Sequence, residues 1–183
     1  LLVDYCCAVK PGQNILIRSS VLAESLVLAC QKQILLRGAN CELSIGIQSY
    51  NKQYYEYAND HQLDHVPFLY QHSIEVFDAI ISISAPYDLF ELKGSDESKI
   101  ARHQSALKPI KSMMMQRSKD RELNWVICNF PTESLAQAAN MTLQEYEQFI
   151  SDACFLNEDD PTQKWRELSL QQETYVNRLN QSE

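Results

Sequence analysis

Short apolar runs alternate along this chain with longer amphipathic stretches, and the alternation predicts an α/β fold. Four runs read as strands. Ile15-Leu16-Ile17 sits at the centre of 14–20, Leu43, Ile45 and Ile47 alternate within 41–48, Ile80, Ile81 and Ile83 fall within 78–85, and the last run spans 123–130. Consecutive branched apolar residues suit strands buried on both faces, so a short, mainly parallel sheet is expected, with 78–85 as a central strand. Strand, helix and strand follow one another within 14–48, which makes a βαβ unit.

The helices between the strands carry recognisable ends. Residues 1–9 are apolar and helical, and Lys10-Pro11-Gly12 stops them. Residues 21–37 are apolar nearly all round and are expected to be deeply buried, with Gly38 as the left-handed residue that ends them. Residues 51–64 are polar, rich in tyrosine and helical. Residues 67–76 carry Pro67 in the permitted first turn, and 96–117 form a long helix interrupted or kinked near Pro109. Thr132 caps a short helix reaching 140. Thr142-Leu143-Gln144-Glu145 is a capping box, with Met141 and Tyr146 placed for a hydrophobic staple. Asp160, Pro161 and Gln163 begin a last helix whose apolar stripe is Trp165, Leu168, Tyr175, Val176 and Leu179. The expected architecture is one layered α/β/α domain over 1–183, with about four strands, helices on both sides and a C-terminal helical pair.

Charge narrows the partners. The net charge is −8, and it is uneven: 1–130 carry 13 basic and 14 acidic residues, 131–183 carry 3 and 10. Neither part supplies a basic footprint, which argues against nucleic acid and anionic membranes as partners. The acidic tail reads as a solvated helical face. No apolar run approaches the roughly 20 residues of a membrane span, and the opening residues show no n-region, h-region or cleavage-site pattern. The six cysteines form no Cys-x-x-Cys pair, and Cys30, Cys128 and Cys154 lie within apolar runs as small hydrophobes. Reduced thiols in a cytoplasmic protein follow. The chain begins at Leu1 in a helical pattern and ends at Glu183 in another, so it is expected to be a piece of a longer protein.

Most candidate chemistry falls to a plainer explanation. The first βα turn, Ser19-Ser20-Val21-Leu22, lacks the glycines that let a backbone approach a pyrophosphate. His61 and His65 have metal-ligand spacing beside Asp64, with His72 further on. Without a His-Glu-x-x-His pattern they read as surface histidines before a proline turn. Asn157-Glu158-Asp159-Asp160 lacks the alternation and glycine of a calcium loop, and favours the positive start of the last helix instead. Asp88, Glu91, Asp96 and Glu97 read as a charged loop after a strand. Met113-Met114-Met115 reads as core filling, and Tyr54, Tyr55 and Tyr57 either line a ligand site or cover the sheet edge, the latter ranking slightly higher. No Gly-x-Ser-x-Gly elbow is present, though a catalytic set assembled only in space is not excluded by spacing. Open parallel sheets bind ligands beyond the carboxyl ends of their strands. Those ends are Ser19-Ser20, Gln48-Ser49-Tyr50, Ser84-Ala85-Pro86-Tyr87 and Asn129-Phe130-Pro131-Thr132, with Ser19, Ser20, Ser84, Pro86, Tyr87, Asn129, Pro131 and Thr132 as the cleft-facing residues.

A family likeness runs through the whole chain. Val9-Lys10-Pro11-Gly12, Leu63-Asp64-His65-Val66-Pro67, Asp78-Ala79-Ile80-Ile81-Ser82-Ile83, Phe130-Pro131-Thr132, Leu135-Ala136-Gln137, Met141-Thr142, Glu145-Tyr146, Phe149, Ala153-Cys154, Asp159-Asp160-Pro161 and Trp165-Arg166 carry it in one order. Together they resemble the N-terminal domain of metalloaminopeptidases of the aminopeptidase T and aminopeptidase S type. The resemblance implies exopeptidases that remove N-terminal residues from peptides with two divalent metal ions, zinc, cobalt or similar. It also implies that the metal ligands and the base lie on a C-terminal domain outside this chain. No position here matches those ligand motifs, so no catalytic or metal residue is carried over. The implied role for this part is to wall the active-site cleft, with a peptide substrate and the C-terminal domain as partners, in a full-length homodimer. A stand-alone small-molecule-binding domain and a protein-interaction module are the alternative readings.

Overall fold

The computed structural model describes residues 1–181. Four parallel strands form the sheet: β1 (Asn14–Ser20), β2 (Asn40–Gly46), β3 (Ala79–Ser84) and β4 (Asn124–Asn129), in the order β2-β1-β3-β4. The expected α/β class and parallel sheet are therefore present, with all four strands where the apolar runs put them. Ile17 pairs with Leu43 on one side and Ile81 on the other, and Ile81 pairs with Val126. The chain moves outward from β1 to β2, then returns to place β3 on the other side of β1. The strand order reverses there, which makes the space beyond the ends of β1 and β3 the switch point of the sheet.

Alternation along the two central strands sends side chains to opposite faces. On one face Ile15, Ile17, Ile81 and Ile83 pack with Val27, Cys30 and Ile34 of helix α1 (Glu24–Leu36) and with Val3 and Cys7. On the other, Leu16 and Ile80 pack with Ile74 of α4 (Phe68–Val76), Ile110 of α6 (Lys108–Lys119), Phe77 and Leu123. Between β2 and α4 lie α2 (Tyr50–Tyr57) and α3 (Asp60–Leu63), and α5 (Glu97–Ala106) precedes α6. After β4 come α7 (Glu133–Ala138), α8 (Leu143–Ala153) and α9 (Pro161–Asn180).

Several helical expectations need correction. Residues 1–9 form only one wide turn, Leu2–Cys6. The segment after β1 opens as a 3-10 turn, Val21–Ala23, and only one side of α1 is buried, since Leu35 and Leu36 are 57% and 70% exposed. Apolar content all round the helix therefore does not mean burial all round. Residues 51–64 make two helices because Ala58 turns extended and Asn59 begins a new capping box with Gln62. Helix α4 begins at Phe68, with Pro67 outside it as the cap residue. The interruption near Pro109 falls at Leu107, which ends α5 and begins α6. Met113 and Met114 pack against the second core, whereas Met115 is half exposed. Tyr54 and Tyr55 do not cover the sheet edge: Tyr55 is buried with Ala58 and Leu63, and both rings lie against His103 of α5.

The caps read in the sequence are present. Gly38 ends α1 at a φ of +73° with the Pro11 side chain beside it. Thr132, Thr142 and Asp160 accept from Leu135, Glu145 and Gln163 backbone N–H groups. Helix α9 is anchored at its start, where Trp165 donates to the Cys154 carbonyl and packs edge-on against Phe155, and near its middle by Tyr5 and Ser169.

Candidate functional site

The carboxyl ends of the strands open into two neighbouring hollows that share Pro86. The smaller, about 310 Å³, lies at the switch point and is lined by Ser19 and Ser20 from β1 and by Ser84 and Pro86 from the end of β3. The larger, about 490 Å³, lies toward β4, and Pro86, Tyr87, Pro131 and Thr132 line it. Seven of the eight cleft-facing residues chosen from the sequence thus line these hollows. The eighth, Asn129, instead lines an apolar cavity of about 300 Å³ between the first turn, α1 and the end of α8.

Their polar groups mostly hold the rim in shape. Ser19 Oγ donates to the Ile83 carbonyl at 3.1 Å, and Ser20 Oγ donates to the Ala85 carbonyl at 2.6 Å while accepting from Leu22 N–H. Thr132 Oγ1 is spent on the cap of α7. Ser84 is exposed and makes no side-chain hydrogen bond among the described residues. The loops are tied in turn: Ser134 Oγ accepts from Leu89 N–H at 2.7 Å, and the Glu91 carboxylate accepts from Ser49 N–H, where the backbone is left-handed. A rim held by hydrogen bonds between separate loops presents a preformed concavity, as binding clefts do.

Gln48 and Phe130, also at strand ends, line the larger hollow, and it has further walls that strand-end reasoning missed: Leu22, Glu133, Ser134, Leu143 and Glu147. Leu143 and Glu147 are four residues apart on α8, so one helix face delivers both. The capping box at Thr142 fixes where this helix begins, and so where its first two turns fall. Glu145 serves that box: Thr142 N–H and hydroxyl groups bond its carboxylate and hold it below the usual range.

No metal chemistry is assigned to these residues. Among the described residues no three or more His, Cys, Asp or Glu side chains are grouped to hold a metal ion. His61 and His65 are exposed, and Asp64 is engaged by Arg102 at 2.7 Å. Asp96 caps α5 and Asp88 accepts from Phe90 N–H, so those acids serve local structure. Burial pushes the Cys30 thiol up to about 11 and the Cys7 and Cys128 thiols to about 12, which keeps them protonated. No described helix is long and apolar enough to cross a membrane.

A layered α/β unit with an open cleft at the carboxyl edge of a parallel sheet defines the class. The chain belongs to the thermophilic metalloprotease family (M29), whose sequence model matches residues 1–183. Among solved structures it is similar to wild-type AmpT from Thermus thermophilus, with a TM-score of 0.68 and 20% identity. That alignment covers 84% of this chain and 40% of AmpT, so the chain spans well under half of that protein. No curated protein matches the chain.

Proposed function

We propose that this chain is the non-catalytic N-terminal part of a metal-dependent aminopeptidase. It walls the cleft along which a peptide reaches the metal site of the C-terminal domain. Two divalent ions on that domain supply the activated water. The observation that carries the reading is the cleft itself, at the carboxyl edge of the sheet in a chain of the metalloprotease family. The span of 40% of AmpT fits a part of a longer enzyme. Exposed apolar side chains on α1, on β2 and just after it, among them Leu35, Leu36, Leu43 and Ile47, support covering of that side by the C-terminal domain or by a second copy in a cytoplasmic homodimer.

The test uses the full-length protein. Purified with zinc or cobalt, it should release N-terminal residues from short peptides, and a chelator should abolish release. Activity unaffected by the chelator, or cleavage within the peptide from a blocked N-terminus, would count against the proposal. Residues 1–183 alone should bind no stoichiometric metal and show no peptidase activity.

A further inference from the structure

We infer that Glu133 and Glu147 make the larger hollow selective for peptides bearing a cationic side chain. This rests on the aminopeptidase reading above and adds a substrate preference to it. The two carboxylates come from different helices, α7 and α8, and line one concavity. Neither makes a salt bridge or side-chain hydrogen bond among the described residues, whereas nearby Glu91 and Glu145 are both taken up by backbone N–H groups. No lysine, arginine or histidine lines the hollow. Arg18 lines the neighbouring hollow, and its guanidinium is engaged there: it donates to Ser73 and lies over the Tyr70 ring.

The remaining walls suit the stem of a basic side chain. Pro86, Pro131 and Leu143 offer aliphatic surface, and Tyr87 and Phe130 offer rings. A lysine or arginine can lay its methylenes on such a surface while its charged head stays near water and the carboxylates. A ring face also attracts a guanidinium. At about 490 Å³ the hollow has room for such a side chain. An acidic side chain entering the same space would meet two like charges, so discrimination works by repulsion as well as attraction.

The experiment measures kcat and KM of the full-length, metal-loaded enzyme on matched peptides that carry lysine, norleucine or glutamate at one varied position. Lysine should give the lowest KM at its best position, by roughly threefold to tenfold over norleucine for two exposed ion pairs, and the advantage should shrink with added salt. E133Q combined with E147Q should erase it by raising KM for the lysine peptide toward that of norleucine. E158Q combined with D159N removes the same charge on an exposed turn away from the hollow, and should leave the preference intact. E147K should reverse it toward glutamate. Equal KM for lysine and norleucine in the wild type overturns the inference, as does loss of preference in the E158Q/D159N control. If no peptide is cleaved, the aminopeptidase reading fails, and fluorescence anisotropy with labelled lysine and glutamate peptides still decides the subsite. Lysine-selective binding lost in E133Q/E147Q sustains it, and equal binding overturns it.

Discussion

The ammonium of Lys99 donates to the carbonyl of Ala58 at 2.9 Å and also reaches the carbonyls of Tyr55 and Glu56 at 3.0 and 3.3 Å. A helix leaves its last carbonyls without intrahelical partners, and here a cation from α5 satisfies those at the end of α2. The charge also matches the negative end of the helix dipole. One side chain thereby closes a helix and joins two separate segments of the fold. Replacing it with methionine keeps the stem and removes the donors. Lys99→Met should lower unfolding stability by about 1.5–3 kcal/mol, the usual worth of hydrogen bonds from a charged group. The midpoint of urea unfolding measures it, and Lys99→Arg should lose less.

Ser20 ties β1 to the loop after β3 across the switch point, through its 2.6 Å bond to Ala85. Both groups are buried, so Ser20→Ala leaves a carbonyl without its partner. The expected loss is about 1–3 kcal/mol of stability. Because Ala85 precedes two residues that line the cleft, KM of the full-length enzyme should rise more than kcat falls. Steady-state kinetics separates the two.

The acid limb of the stability profile should depend on Asp64. Its carboxylate takes two hydrogen bonds from Arg102, which hold it below the usual carboxylate range. A carboxylate with a lowered folded-state value contributes stability above its unfolded value, and that contribution disappears as pH falls through the folded one. Asp64→Asn removes it at neutral pH. The variant should therefore melt earlier than wild type near pH 7, and the two curves should converge as pH falls through the lowered folded-state value. Melting temperatures across that range test the sign.

The thiols should divide by burial. Cys7, Cys30 and Cys128 are held protonated, whereas Cys6 is exposed and less strongly raised. The thiolate is the reactive form, so iodoacetamide at pH 8 should label Cys6 well before these three. Mass spectrometry of the native chain reads the order, and equal rates for all four would show that the core opens freely.

Strand identity is legible in this sequence because a short branched run such as Ile15-Leu16-Ile17 needs neighbours on both faces, and β1 has them. Caps are legible because Thr142 and Glu145 act on adjacent backbone, with no distant partner required. Burial of α1 is not, because the side it exposes depends on what lies across from it in space. The same limit applies to the cleft. Strand ends point to Pro86, Phe130 and Pro131, but Glu133 and Glu147 enter from α7 and α8, which follow the last strand. Asn129 shows the local version of the difficulty: the last residue of β4, just before Phe130, it lines the apolar cavity instead of the cleft.

Thr142 links that local legibility to the site. Its hydroxyl accepts from Glu145 N–H at 3.2 Å, and Glu145 returns a carboxylate to Thr142 N–H at 2.8 Å. Thr142→Ala removes the hydroxyl half of this exchange and should cost about 1 kcal/mol, whereas Thr142→Ser should cost little. The first turn of α8 carries Leu143 and the second carries Glu147, both walls of the larger hollow. Fraying that end should loosen the wall before it unfolds the protein. In the full-length enzyme Thr142→Ala should thus raise KM for lysine peptides at temperatures well below its melting point, with serine restoring it. A KM unchanged at a measurably lower melting temperature would mean that the cap stabilises α8 without shaping the cleft.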